Sequence, residues 1–220
     1  MNKISGVIFD VDGTLAQTNH LIFETFRFVT NKYLNKNYTD KEIIALFGPT
    51  EEDMLKEMMN GSYDAAIKDY YQFYTEHHDE LANGYPGIKE MLQFLYNSNI
   101  PLSIYTGKGR VSASITLNKL GIAKYFSMVV TGSDVEKHKP SREGVDFFID
   151  KFKLKRDEVI LIGDAVADIY AARNAGIVGA SVLWDSYGKD EVLKIGNDFI
   201  FRTVEELAEF FNSKLLTSAL

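Results

Sequence analysis

Val7-Ile8-Phe9-Asp10-Val11-Asp12-Gly13-Thr14-Leu15 is the stretch that decides how the rest of the chain is read. A short apolar run ends in two carboxylates one residue apart, then Gly-Thr. A run this short and this apolar predicts a strand buried in a parallel sheet. Its last residues then lie at the carboxyl edge, where such sheets bind ligands. Side chains alternate along a strand, so Asp10 and Asp12 are expected on the same side of it. Two like charges that close repel, unless a cation neutralises them or one carboxylate keeps a proton. Gly13 lets the chain turn sharply as it leaves the strand. Alone, Asp-x-Asp-Gly reads equally well as a strand ending in a polar turn. The remainder of the chain decides between the two.

Outward from Leu15 the pattern turns helical. Leu21, Ile22, Thr25, Phe26, Val29 and Tyr33 recur at spacings of three and four, and Asn35-Lys36-Asn37 ends that helix. Thr39-Asp40-Lys41-Glu42 has the form of a capping box and opens a second helix, which Gly48-Pro49 breaks. Thr50-Glu51-Glu52-Asp53 opens a third, and Ser62 is expected to cap a fourth that runs to about Leu81. Residues 16–82 therefore read as all-helical, with no convincing strand. After Asn83-Gly84-Tyr85-Pro86-Gly87 strands and helices alternate. Strands are predicted at Ile100–Tyr105, Met128–Val130, Val159–Ile162, Ala180–Leu183 and Phe199–Phe201. Helices are predicted at Ile88–Tyr96, Arg110–Leu120, Ser141–Phe152 and Ala165–Ala175, with a last one opened by Thr203-Val204-Glu205-Glu206. Alternation of this kind implies right-handed crossovers and an α/β, doubly wound, mostly parallel Rossmann-like sheet. The expected organisation is a core of residues 1–15 and 83–220 with an inserted all-helical cap domain at 16–82. That insertion leaves from the edge that carries the two carboxylates, which suits a lid hinged at its two connections.

Composition bounds the function. The 220 residues, 45% hydrophobic and 25% charged, suit a globular protein. A net charge of −7 argues against a general nucleic-acid partner and requires a local cation for any anionic substrate. The absence of cysteine excludes disulfides, thiolate metal sites and cysteine nucleophiles. The N-terminal residues lack the regions of a signal peptide, and no apolar run approaches the roughly 18 residues of a membrane span. A cytoplasmic protein without a membrane partner is expected, and its oligomeric state is left open.

Polar groups recur just past the ends of successive predicted strands: Asp10 with Asp12, Thr106 with Gly107, Lys139, and Asp164 with Asp168. Singly, each has an ordinary explanation. Thr106 and Asp164 could cap helices, Lys139 could be a solvated loop lysine, and Asp168 could be a surface residue. Together they supply carboxylates for a hard divalent cation, a hydroxyl, a backbone amide and an ammonium group, all facing one crevice. Mg²⁺ takes oxygen ligands, commonly one or two carboxylates plus substrate oxygens. A carboxylate can be the nucleophile in phosphoryl transfer, while a second carboxylic acid protonates the leaving oxygen.

Asp10-Val11-Asp12-Gly13-Thr14-Leu15, Thr106-Gly107, His138-Lys139-Pro140 and Gly163-Asp164-Ala165-Val166-Ala167-Asp168 resemble, in order, the four motifs of the haloacid dehalogenase-like hydrolases. The resemblance spans essentially the whole chain, and the helical insertion is similar to the C1 type of cap. It implies Asp10 as nucleophile and Asp12 as general acid and base. It implies Asp10, the Asp12 carbonyl and Asp164 as ligands of Mg²⁺. Thr106, the Gly107 amide and Lys139 would hold the phosphoryl group, Thr14 would fix the first loop, and Asp168 would support the metal's waters or orient Lys139. It places the Asp10 strand between the Thr106 and Asp164 strands.

Dehalogenating members lack a carboxylate two residues after the nucleophile, so Asp12 favours phosphate chemistry. The implied function is Mg²⁺-dependent hydrolysis of a small phosphorylated metabolite or pyrophosphate through an aspartyl-phosphate. Gln17–Ile22 and Leu46–Thr50 are similar to cap segments of phosphoglycolate phosphatases and bacterial pyrophosphatases. An intramolecular phosphomutase and a non-catalytic binding protein on the same scaffold are the alternatives. Arg110, Asn19, His20 and the cap lysines Lys32, Lys36, Lys41, Lys56 and Lys68 read as surface residues, and the tyrosines at 63–74 as cap core.

Overall fold

A computed structural model describes residues 3–216. The chain begins with β1 (Gly6–Phe9), turns through Asp10–Leu15 and enters the short β2 (Ala16–Gln17). Five helices follow: α1 (Asn19–Leu34), α2 (Asp40–Ile44), α3 (Glu51–Met58), α4 (Tyr63–Glu76) and α5 (His78–Leu81). The chain returns through β3 (Asn83–Gly84) to α6 (Ile88–Asn97), β4 (Leu102–Tyr105), α7 (Arg110–Lys119) and β5 (Met128–Val130). It continues as α8 (Glu143–Phe152), β6 (Val159–Gly163), α9 (Val166–Ala175) and β7 (Val178–Val182). It closes with α10 (Lys189–Ile195), β8 (Phe199–Phe201) and α11 (Val204–Leu216).

Six strands form one parallel sheet in the order β5-β4-β1-β6-β7-β8. The predicted α/β, doubly wound sheet is what forms, with β1 between β4 and β6. Every residue of β1 is buried, because helices cover both faces of the sheet. Val7 and Phe9 pack with Leu92, Leu95 and Phe211 on one face; Ile8 packs with Val145, Phe148 and Ala171 on the other. Strand alternation thus divides one short run between two cores. Phe9 is level with Ile104 of β4 and Ile162 of β6, so the three strands end together beneath one crevice. The order reverses direction at β1, which makes that crevice a topological switch point.

Helices α1–α4 enclose a cluster of their own, including Leu21, Phe26, Val29, Leu55, Tyr70 and Tyr74. Tyr74 also reaches α7, its hydroxyl 2.8 Å from Thr116 Oγ1. Thr39 and Thr50 cap α2 and α3 through complete capping boxes, as their spacing predicts.

Some local expectations are corrected. Residues 16–82 are not purely helical, because Ala16–Gln17 pairs antiparallel with Asn83–Gly84. A two-residue pairing leaves no periodic trace in sequence. Ser62 does not cap α4: its backbone, at φ −105° and ψ 9°, is not the extended form that aims a hydroxyl into the first turn. The helix running to Leu81 is broken at His77, whose ring stacks on Phe73 at 3.9 Å before α5 begins. Helix α10 was not foreseen. No helix among the described residues is long and apolar enough to cross a membrane.

Candidate active site

The site begins where β1 ends. The Asp10 N–H still donates to Ile162 O of β6 at 2.9 Å, so Asp10 stands on a fixed ladder. Beyond it the chain curls, and Val11 O accepts from the Thr14, Leu15 and Ala16 amides at 3.2, 2.9 and 3.0 Å. Gly13 has φ +73°, and a Cβ there would lie 2.5 Å from Asp164 Oδ2. Both facts require glycine: the conformation is left-handed, and Asp164 passes directly over the turn. Thr14 Oγ1 donates to Asp164 Oδ1 at 3.2 Å, tying the first loop to the end of β6.

Asp10, Asp164 and Asp168 are all buried, with one carboxylate oxygen from each within 4.8 Å of the others. The Lys139 ammonium enters this cluster, 3.0 Å from Asp10 Oδ1 and 2.6 Å from Asp168 Oδ1. Asp168 Oδ2 accepts from the Ala165 N–H at 3.0 Å, so both of its oxygens are engaged. Asp10 Oδ1 is buried in an ionic contact with Lys139 that lacks hydrogen-bond geometry, and no other group satisfies it.

Burial pushes the Asp10 carboxyl up to about 6; Lys139 opposes the shift, while Asp168 and Asp12 add to it. Burial, with Asp10 and Asp168 close by, holds Asp164 well above the usual carboxylate range. Burial works against the charge on Lys139, but Asp10 and Asp168 outweigh it and keep the ammonium protonated. One ammonium thus faces three buried carboxylates. An all-oxygen donor set that carries this excess of negative charge, with one oxygen unsatisfied, fits a hard divalent cation. Asp10 and Asp164 have oxygens to give it; Asp168, engaged twice, is suited to fixing Lys139.

The Asp12 side chain stands apart from this cluster. It accepts from the Thr18 hydroxyl and from Lys108, whose Nζ is 3.1 Å from Oδ1 and 3.2 Å from Oδ2. Lys108 is buried over the Tyr74 ring of α4, at 4.8 Å from its centroid. Burial disfavours its charge, but Asp12, Tyr74 and Glu51 raise its affinity for the proton above that of an ordinary lysine. The sequence reading passed over Lys108. Its signal was positional: it follows Thr106 at the spacing by which Asp12 follows Asp10, at the end of the neighbouring strand.

Thr106 and Gly107 line the same crevice as Asp10 and Lys139. Thr106 does not cap α7, whose N-cap is Gly109; its oxygen accepts from the Lys108 N–H at 3.3 Å. Asp164 does not cap α9, which begins after Ala165. Arg110 is a surface residue paired with Asp134, as expected. Asn19 is not solvated: it is buried, lines the crevice and donates to Asp185 at 3.2 Å.

A second missed feature is the loop after β7, which ties several parts of the site together. Trp184 Nε1 donates to Thr14 O at 3.2 Å, and the Ser186 hydroxyl donates to Asp164 O. Asp185 Oδ2 accepts from the Tyr85 hydroxyl at 2.6 Å as well as from Asn19. Above these groups is a cavity of about 510 Å³, with the carboxylates and lysines at one end and Ile22, Phe26, Ile44, Phe47, Met54 and Tyr187 towards the helices.

A doubly wound sheet with a buried all-oxygen cluster and a lysine at its switch point is an arrangement suited to phosphoryl-transfer chemistry. The model of the haloacid dehalogenase-like hydrolases matches residues 7–182, and the chain belongs to that family. It is 31% identical over 205 residues to the pyrophosphatase PpaX of Anoxybacillus flavithermus, covering 93% of this chain and 95% of that protein. It also resembles the solved structure of a Haemophilus somnus protein provisionally named a phosphoglycolate phosphatase. The TM-score there is 0.86 at 18% identity, over 96% of this chain and 99% of the other, a likeness of fold. A Thermotoga maritima protein provisionally named a β-phosphoglucomutase matches with TM-score 0.76 and 26% identity, over 96% and 99% of the two chains.

Proposed function

We propose that this protein is a cytoplasmic, Mg²⁺-dependent phosphatase that hydrolyses a small phosphorylated metabolite or pyrophosphate through an aspartyl-phosphate on Asp10. The observation that carries the proposal is the cluster of three buried carboxylates around one ammonium, in which Asp10 Oδ1 has no hydrogen bond. The Asp10 and Asp164 side chains, with the Asp12 carbonyl, would hold the cation. When bound, the cation offsets the charge of the phosphoryl oxygens and keeps Asp10 ionised.

In the first half-reaction a carboxylate oxygen of Asp10 attacks phosphorus and the bond to the leaving oxygen breaks. The Asp12 carboxylic acid gives its proton to that oxygen. In the second, the Asp12 carboxylate takes a proton from water, whose oxygen attacks phosphorus. The bond to Asp10 breaks, and inorganic phosphate and free Asp10 result. Thr106, the Gly107 amide and Lys139 hold the phosphoryl oxygens, and Asp168 fixes Lys139 by its 2.6 Å ion pair. Thr18 and Lys108 fix the direction of the Asp12 oxygens. Residues 16–82 act as a lid over the cavity, moving on the β2–β3 ribbon, so closure excludes water until the phosphoryl group is transferred.

Asp10→Asn is expected to lower kcat for a phosphomonoester by at least a thousandfold while the circular dichroism spectrum is unchanged. A metal chelator is expected to stop the wild-type enzyme, and Mg²⁺ to restore it. Wild-type rates in Asp10→Asn would overturn the proposal.

A further inference from the structure

We infer that the leaving group of the substrate is an uncharged, apolar alcohol, aryl or alkyl, and not a second phosphate or a carboxylate; this rests on the phosphatase reading above. The basic residues that line the cavity are Lys108 and Lys139, and both belong to its phosphoryl end. Lys139 is held by Asp10 and Asp168, and Lys108 by Asp12. These contacts direct both ammonium groups to the carboxylate end of the cavity.

The wall opposite is aliphatic and aromatic. Ile22, Phe26, Ile44, Phe47 and Met54 come from the helices and Tyr187 from the loop after β7. Phe47 and Tyr187 are 39% and 43% exposed, apolar surface that a bound group would cover. Their rings lie 6.5 Å apart, and both contact Phe23, at 6.3 and 5.7 Å. Besides the tyrosines Tyr70 and Tyr187, the lining carries two further carboxylates, Glu51 and Glu191. Glu51 is only 4% exposed, and its donors are the Gly109 N–H at 2.8 Å and the Ser112 hydroxyl, both neutral.

Several cations of α1 and α7 are paired with carboxylates outside the lining. Arg27 is bound to Glu24 and Asp40, Lys32 to Asp69 and Arg110 to Asp134. His138 Nδ1 lies 3.1 Å from Gly48 O, outside the lining. A second anion entering this half would lose its hydration and meet Glu51 and Glu191, with no lysine or arginine beyond Lys108 and Lys139 among the lining residues. An apolar group would leave water for a wall of rings and aliphatic chains.

The test compares kcat/KM of the full-length protein with Mg²⁺ for benzyl phosphate, phosphoglycolate and pyrophosphate. Benzyl phosphate and phosphoglycolate both release primary alcohols, so the comparison does not simply rank leaving groups. Benzyl phosphate is expected to exceed both others by at least tenfold, and a smaller ratio overturns the inference. In Phe47→Arg the ratio of phosphoglycolate to benzyl phosphate is expected to rise at least tenfold, and an unchanged ratio also overturns it. Pyrophosphate or phosphoglycolate turnover that Asp10→Asn abolishes, at a ratio below ten, removes this inference and leaves the phosphatase reading standing. No turnover of any of the three, in wild type as in Asp10→Asn, brings down both.

Discussion

At the scale of single residues, the site separates two acids that are only one residue apart. Asp10 faces Lys139 and the buried carboxylates, whereas Asp12 faces Lys108 and Thr18. On the proposed function, the first side would serve a nucleophile and a metal, and the second a proton carrier whose oxygens Lys108 and Thr18 hold. Lys108 therefore has a testable duty. Lys108→Met removes both contacts to Asp12 and is expected to lower kcat by about 10–100-fold, the share general acid–base catalysis commonly contributes. KM should change much less, because the phosphoryl group keeps Lys139 and Thr106. Steady-state kinetics on one phosphomonoester separates the two, and an unchanged kcat would show that Asp12 needs no such support. Asp168 shows why residue-level reading has limits. Its place one turn into α9 suits a surface residue equally well. It is buried because it folds back to accept from the Ala165 N–H and meets Lys139 from a distant loop.

At the scale of elements, local chemistry explains most starts and stops. Thr50 illustrates it: its Oγ1 accepts from the Asp53 N–H at 3.1 Å, and Asp53 accepts from the Thr50 N–H at 3.3 Å. The α3 helix that follows carries Glu51 and Met54 to the cavity. Thr50→Ala is expected to destabilise the protein by about 1 kcal/mol, the usual worth of such a cap. Chemical denaturation reads this as a lower midpoint at unchanged slope. The elements the sequence misjudged lacked such signals. Ser62 has the right side chain for a cap but the wrong backbone. The β2–β3 ribbon is too short for periodicity, and its two strands are separated in sequence by five helices.

At the scale of the whole molecule, the charge placed at the switch point couples stability to pH and to metal. Asp10 is raised by burial to about 6, against about 3.9 in an unfolded chain, and Asp164 is raised as well. Between these values the folded state binds more protons at these two carboxyls, so without metal their contribution to stability falls as pH rises from about 4 to about 6, against an opposite contribution from His78, which burial lowers. Lys108 and Lys139, both raised, are protonated in folded and unfolded states over this range and leave the slope unchanged. On the proposed function, a divalent cation would bind the ionised carboxylates and stabilise the folded state by mass action. The gap between the thermal midpoints in millimolar Mg²⁺ and in chelator is therefore expected to widen as pH rises from about 4 to 6.5. Scanning calorimetry across that range checks it, and coincident curves with and without Mg²⁺ would refute a metal at this site.

What could be read from the chain was what neighbours in sequence decide. The apolar run of β1 and its two carboxylates, the alternation that makes a doubly wound sheet, and the capping boxes at Thr39 and Thr50 are local in origin. So is the recurrence of Asp10, Thr106, Lys139 and Asp164 just past strand or loop ends, since parallel strands deliver their carboxyl ends to one edge. Tertiary structure alone decided the partners. It set Lys108 against Asp12, Glu51 against Gly109, and the 184–187 loop against Thr14, Asn19, Tyr85 and Asp164. It also decided that the wall facing the phosphoryl site is apolar. The reason is physical: backbone geometry and periodicity act over a few residues, whereas an ion pair or a cavity wall depends on which helix lies against which strand. The stretch Val7–Leu15 brings Asp10 and Asp12 to the crevice, and the packing above it decides which side chains line the rest of the cavity.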